Sequence, residues 1–169
     1  IIDCADAYNP VEVGYFNTGG YAQRIHAVDG ILYVADGGGG FYKLQTDFKQ
    51  RVFTVTSTGD AMDAIPGDGI CDDGTGDCTL RAAINEANAT PGYNEIAFNI
   101  EGEGPHAFVP SQALPWITES VLLDGSSQPG YAGTPLIAIN GSVAGTSNGL
   151  VISTSHSTVK GLSVGHCGL

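Results

Sequence analysis

Apolar and polar residues alternate one by one through Val11 to Tyr15, Arg24 to Val28, Ile31 to Ala35 and Phe41 to Leu44, and Gly-rich stretches separate these segments. A period of two turns one face of a strand toward a core, so residues 1–50 predict a small antiparallel β-meander. Arg51 to Thr58 (RVFTVTST) keeps the same alternation and predicts a further strand. The period then changes. In Thr79 to Ala89 (TLRAAINEANA), Leu80, Ala83, Ile84 and Ala87 fall three and four apart, the spacing that lines one face of a helix. Thr79 stands where an N-cap is needed, and Pro91-Gly92 stops the helix.

Beyond Gly92 the apolar residues gather into short runs, Glu95 to Ile100, Ser120 to Leu123, Leu136 to Ile139, Leu150 to Ile152 and Thr158 to Val164, each broken by Gly, Asn, Asp or Pro. The later runs recur at about 10 to 16 residues, which leaves no room for intervening helices. Parallel coiling accounts for that rhythm: each run stacks on the run one coil away, inward positions merge into one core, and the turns hold Gly and Asn. A sandwich of antiparallel strands is the competing architecture. The 25 Gly and 8 Pro, set among Thr, Ser and Asn, support an all-β class built of short strands and tight turns. The expected fold is therefore the N-terminal part of a right-handed parallel β-helix over residues 93–169, preceded by a short capping α-helix at residues 79–89. Residues 51–92 form the cap as strand, acidic loop and helix, and residues 1–50 form the meander.

Charge narrows the partners. Eighteen acidic residues against six basic ones give a formal charge of −12, a field that repels phosphate backbones and anionic lipid surfaces. Nucleic acid is excluded as an expected partner, and polyuronate or sulfated glycans would need bridging cations. No apolar run approaches the roughly 20 residues that span a bilayer. The chain starts at Ile1 without a basic leader segment and ends at Leu169 on an apolar run, so it reads as a piece of a longer protein whose remaining coils are its neighbours.

Cys71 and Cys78 lie close together inside a Gly/Asp-rich loop, where a disulfide closes easily and would place the protein in an oxidising compartment; two free thiols in a cytosolic loop are the alternative. Cys4 and Cys167 lie near opposite ends, and sequence does not pair them.

Phe53-Thr54-Val55-Thr56-Ser57-Thr58, then Cys71-Asp72-Asp73-Gly74-Thr75-Gly76-Asp77-Cys78-Thr79-Leu80-Arg81-Ala82-Ala83-Ile84, then Ala87-Asn88-Ala89, resemble the CSLREA domain that opens bacterial surface and secreted parallel β-helix proteins. Ala113-Leu114-Pro115-Trp116-Ile117-Thr118, Leu123-Asp124-Gly125-Ser126-Ser127-Gln128-Pro129-Gly130-Tyr131 and Val159-Lys160-Gly161-Leu162-Ser163-Val164 are similar to the coils that follow it, so the resemblance covers residues 51–169. Ala82 stands where that motif has Glu, which removes the reciprocal half of a capping box and weakens the helix by less than about 1 kcal/mol. Upstream, Tyr8 to Tyr15 and Ala27 to Asp36 resemble one LVIVD-type repeat, a β-propeller blade, over residues 8–45. The resemblance implies export, a surface location and adhesive company. It implies no defined reaction and brings no catalytic residues.

Asp60, Asp63, Asp68, Asp72, Asp73 and Asp77 crowd one loop, and Asp68, Asp72, Asp73 and Asp77 are the candidate Ca²⁺ ligands among them. Ile70 and Gly74 stand where an EF-hand needs ligands, and a solvated, turn-rich loop held by the disulfide is the alternative. On the coils, Glu95, Glu101, Glu103, Glu119 and Asp124 are the carboxylates from which an acid–base pair could be drawn, but Asp124 precedes Gly125 in a turn and is expected to cap its own backbone. Lys160 reads as an outward solubilising residue. His26, His106, His156 and His166 are scattered, without a Ser or Cys arrangement. Trp116 is expected in the core; with Tyr93 and Tyr131 it would otherwise form a sugar-stacking platform. Asn88-Ala89-Thr90 and Asn140-Gly141-Ser142 match the glycosylation sequon. The expected function is a non-enzymatic extracellular or cell-surface module that contacts a glycan or another surface ligand. The alternative is the first part of a polysaccharide lyase or glycosidase whose active site lies on later coils.

Overall fold

The computed structural model describes residues 2–3, 11–12, 20–28, 31–45, 50–141 and 149–165. It is mostly strand with a single α-helix among the described residues, and it divides into two compact units, residues 1–50 and 51–169.

In the first unit, β1 (Ile2–Asp3) pairs antiparallel with β2 (Val11–Glu12), and β3 (Ala22–Val28), β4 (Ile31–Asp36) and β5 (Gly40–Gln45) form an antiparallel meander. The β4–β5 turn closes through Gly39 N–H to Asp36 O at 2.6 Å and reaches Gly40 at φ +99°, a conformation that favours glycine. Tyr33 and Phe41 stack across the strand pair, ring centroids 5.9 Å apart. Residues 13–15 of the expected first segment, and Cys4, lie outside the described residues.

The second unit pairs only in parallel among its described strands. One sheet runs in the order β11 (Thr158–Lys160), β9 (Val121–Asp124), β7 (Asn94–Phe98), β6 (Val52–Val55); another runs β12 (Leu162–Gly165), β10 (Ile137–Asn140), β8 (His106–Phe108). From β7 onward the chain visits the two sheets alternately, so each strand lies beside the one that held the same place a circuit earlier. A third line of contact is marked by the parallel bridge between Ile117 and Ile152. An antiparallel sandwich is excluded for this part of the chain.

Aligned residues of parallel neighbours point the same way, so the registers build columns of side chains. Phe53, Ile96 and Leu123 form one buried column, Phe108 and Ile139 a second, and Phe98 meets Phe108 edge-on at 5.8 Å. The Thr158 to Val164 run divides at Gly161 (φ +68°), which sends β11 into one sheet and β12 into the other. Leu150 to Ile152 supplies a single bridge residue instead of a strand. β8 was hidden in the sequence by the prolines at 105 and 110 on either side of it.

α1 (Leu80–Ala89) packs its expected face, Leu80, Ala83, Ile84 and Ala87, into the same core as Phe53, Val55 and Ile96. Thr79 Oγ1 accepts the Ala82 N–H at 3.0 Å, the single-sided cap expected from the sequence. Ala82 itself is fully buried.

Candidate functional site

The described polar groups converge where α1 meets the first circuit. Three α1 side chains reach out of the helix to backbone that has no strand neighbour on that side among the described residues.

Asn88 does so most directly. Ile117 donates its N–H to Val151 O at 2.9 Å and accepts from Ser153 N–H at 2.8 Å, so its own peptide groups face Ile152. In a parallel ladder the flanking groups turn the other way. Those groups meet Asn88: its Nδ2 donates to Trp116 O at 2.7 Å, and its Oδ1 accepts the Thr118 N–H at 2.9 Å. One carboxamide thus takes the place of a peptide from an absent strand.

Arg81 is 8 % exposed and covers the preceding stretch. Its guanidinium donates to Gln112 O at 2.9 Å, to Ala113 O at 2.8 Å and to the Asp60 carboxylate at 2.9 Å. Asp60 in turn accepts the Ser111 N–H at 2.8 Å and hydroxyl at 2.7 Å. Burial raises the Asp60 carboxyl, but the Ser111 and Arg81 hydrogen bonds outweigh it and hold the group below the usual aspartate value.

Glu86, fully buried, faces the acidic loop. Its two oxygens accept the Gly67 and Gly69 N–H groups, each at 2.5 Å, and both glycines have positive φ that aims these donors at one carboxylate. At the far end of the helix, Asn94 Nδ2 donates to the C-cap carbonyl, Thr90 O, at 2.7 Å and to Gly92 O, in the turn beyond, at 3.2 Å.

Three of the four loop carboxylates proposed for Ca²⁺ face their own backbone. Asp68 accepts from Ile70 N–H, Asp72 from Gly74 and Gly76, and Asp73 from Thr75 N–H and hydroxyl. The Thr75 bonds hold Asp73 below its usual value. Asp77 is exposed, with its carbonyl bonded to the Asp73 N–H at 2.8 Å. No group of three or more metal-ligating side chains forms among the described residues. Cys71 and Cys78 stand at disulfide distance, Cα atoms 5.2 Å apart, and tie the loop to the helix start. Cys167 and His166 lie outside the described residues.

On the circuits, Asp124 caps the Ser126 N–H at 2.9 Å as expected, accepts the Ser126 hydroxyl, and also pairs with Lys160 at 3.1 Å. Burial opposes ionisation of Asp124, and the Ser126 and Lys160 contacts overcome it to hold the carboxyl low. Lys160 faces outward as expected, its side chain 51 % exposed, and also makes this cross-circuit ion pair. His106 sits on β8, its ring nitrogen 3.3 Å from Gln128 Nε2, and buried Gln128 brackets both peptide groups of Ile100 at 2.8 and 2.9 Å.

Trp116 corrects the sequence expectation: it is 61 % exposed, because Leu114 and Ile117 take the inward positions of its stretch. Tyr93 is also exposed. An open groove is lined by Thr56, Ser57, Thr58, Asp77, Asn99 and Glu101. Glu86 is not singled out by the sequence, Arg81 enters only as part of the CSLREA-like motif, and Asn88 only in that motif and as a sequon residue, whose Nδ2 the structure instead engages with Trp116 O. The available signal was polar residues adjoining the apolar helical face, which a two-sided amphipathic helix does not require. Comparison with family models, with curated proteins and with solved structures finds no match.

Proposed function

We propose that this chain is a non-enzymatic extracellular or cell-surface module, the capped opening of a right-handed parallel β-helix, whose coils contact glycan chains. The observation that carries the glycan reading is Trp116. Its indole stands in solvent while its own carbonyl is fixed by Asn88, so an aromatic face is presented on a held backbone, at little ordering cost to a sugar ring that stacks on it. The groove between Thr56 and Glu101 adds hydroxyl, amide and carboxylate groups of the kind that pair with sugar hydroxyls. The Cys71–Cys78 pair favours an oxidising compartment, hence the outside of the cell. The resemblance of residues 51–169 to CSLREA-type surface proteins agrees with it, and the cap serves to close the first coil against edge-to-edge association. Further coils of a longer protein would extend the same surface.

The chain has one Trp, so its fluorescence reports ligand at that site directly. A glycan array with and without Ca²⁺, followed by fluorescence titration of each hit, tests the reading. Neutral glycans should bind and shift the emission, and Trp116→Ala should abolish binding without loss of folding. No bound glycan, or equal binding by the variant, overturns it.

A further inference from the structure

We infer that the outward face of the β3–β4–β5 meander binds an acidic sugar, a hexuronate carried in a short glycan, with Arg24 and Lys43 on its carboxylate groups and Phe41 and Tyr33 against its ring. Cross-strand partners in an antiparallel sheet share a face, so the registers place His26, Tyr33 and Lys43 in one row and Arg24, Ala35 and Phe41 in the next. Arg24, His26, Lys43 and Phe41 are exposed, Phe41 by 68 %, and the partly buried Tyr33 stacks on the Phe41 ring. Val34 and Asp36, of opposite phase on β4, are buried, so the other face of the sheet is its inner one. β3 and β5 are two strand spacings apart, about 10 Å, which sets Arg24 and Phe41 on either side of the small Ala35.

Charge and ring together select the occupant. The chain has six basic residues in all, and two of them lie on this face with no ion-pair partner among the described residues. The one carboxylate among the described residues of the meander, Asp36, is buried on the other side. In a chain of net charge −12 this face is a local exception, able to hold an anion without a bridging cation. Two cations are too few to hold a nucleic-acid backbone against that field, since such binding draws on the release of many counterions. Nor does the face suit burial beneath another layer of strands, where unpaired cations are costly. A short uronate chain meets both features: the Arg24 guanidinium can pair two-pronged with a carboxylate, and the apolar face of a sugar ring lies on Phe41. The inference uses no residue of the second unit and does not rest on the reading given to Trp116.

Calorimetric titration of the full chain at low salt with tetragalacturonate, its methyl ester and tetra-aspartate tests it. Tetragalacturonate should bind at least about tenfold more tightly than either control, since the ester keeps the ring without the charge and the peptide keeps the charge without the ring. Arg24→Gln and Lys43→Gln should each weaken binding at least about fivefold, and Phe41→Leu at least about threefold. Lys160→Gln, which removes the same charge from the second unit, should leave it unchanged. Backbone amide shifts should place the ligand at residues 24–26, 33–35 and 41–43, and the same spectra show that each variant is folded. Absence of binding, equal binding of the ester or the peptide, affinity left intact by the Arg24, Lys43 or Phe41 variants, or an equal loss with Lys160→Gln would overturn the inference. Shifts confined to residues around Trp116 would also overturn it, and would leave the Trp116 reading standing.

Discussion

Asn88 and Thr118 lie 30 residues apart in sequence, and the side-chain oxygen of the first accepts the backbone N–H of the second at 2.9 Å. With the return bond from Asn88 Nδ2 to Trp116 O, the contact reproduces what a neighbouring strand gives a parallel ladder. A first circuit has no earlier circuit to pair with, and unpaired edge groups recruit other chains. Here the helix supplies the missing partners from its side chains.

Arg81→Lys should destabilise the protein nearly as much as Arg81→Met, by about 2 to 4 kcal/mol, since an ammonium cannot reach Asp60, Gln112 and Ala113 together and leaves buried acceptors unpaired. Urea unfolding of both variants measures it. A Lys variant as stable as the parent would show that charge alone matters at this position.

Acid should weaken the same contact. The folded Asp60 carboxyl is held low, so its contribution is complete above the unfolded value of about 3.9 and is lost as pH falls through the lower folded value. Asp124 adds a loss of the same sign. Urea midpoints should stay level down to about pH 5 and drop below about pH 4, and Asp60→Asn should start lower and lose part of that acid limb. Identical limbs in the two proteins would remove Asp60 as a source.

Reduction of Cys71–Cys78, or Ser at both positions, should cost about 2 to 3 kcal/mol through the freed unfolded chain. Paired thermal melts with and without reductant read this, and unchanged melting would mean that the hydrogen bonds of the loop hold it unaided.

Gly161→Ala should destabilise more than a surface substitution. Gly161 has φ +68°, and a Cβ there would lie 2.8 Å from Ser126 Cβ, while one on Gly125 would lie 2.5 Å from Gly161 O. Strain and overpacking together amount to about 2 kcal/mol or more, measurable in the same urea experiment.

Sequence reading was strongest where a period repeats. Leu80, Ala83, Ile84 and Ala87 gave the buried face of α1 because helical geometry alone decides it, and the apolar runs after Gly92 located β7, β9 and β10 within a residue or two. It failed where a partner is remote. Nothing local distinguishes Asn88, Arg81 or Glu86 from solvated helix positions, since their acceptors and donors lie 17 to 32 residues away. Trp116 was misplaced because hydrophobicity, without the register of its neighbours, does not say which of Leu114, Trp116 and Ile117 turns outward.

Amide hydrogen exchange at Thr118 and Ile117, compared between the parent and Asn88→Ala, tests the cap most directly. The Thr118 N–H depends on Asn88, while the Ile117 N–H depends on Val151, so the variant should speed exchange at Thr118 by at least about tenfold and leave Ile117 protected. Equal exchange at Thr118 in the two proteins would contradict the substitution of a side chain for the missing strand.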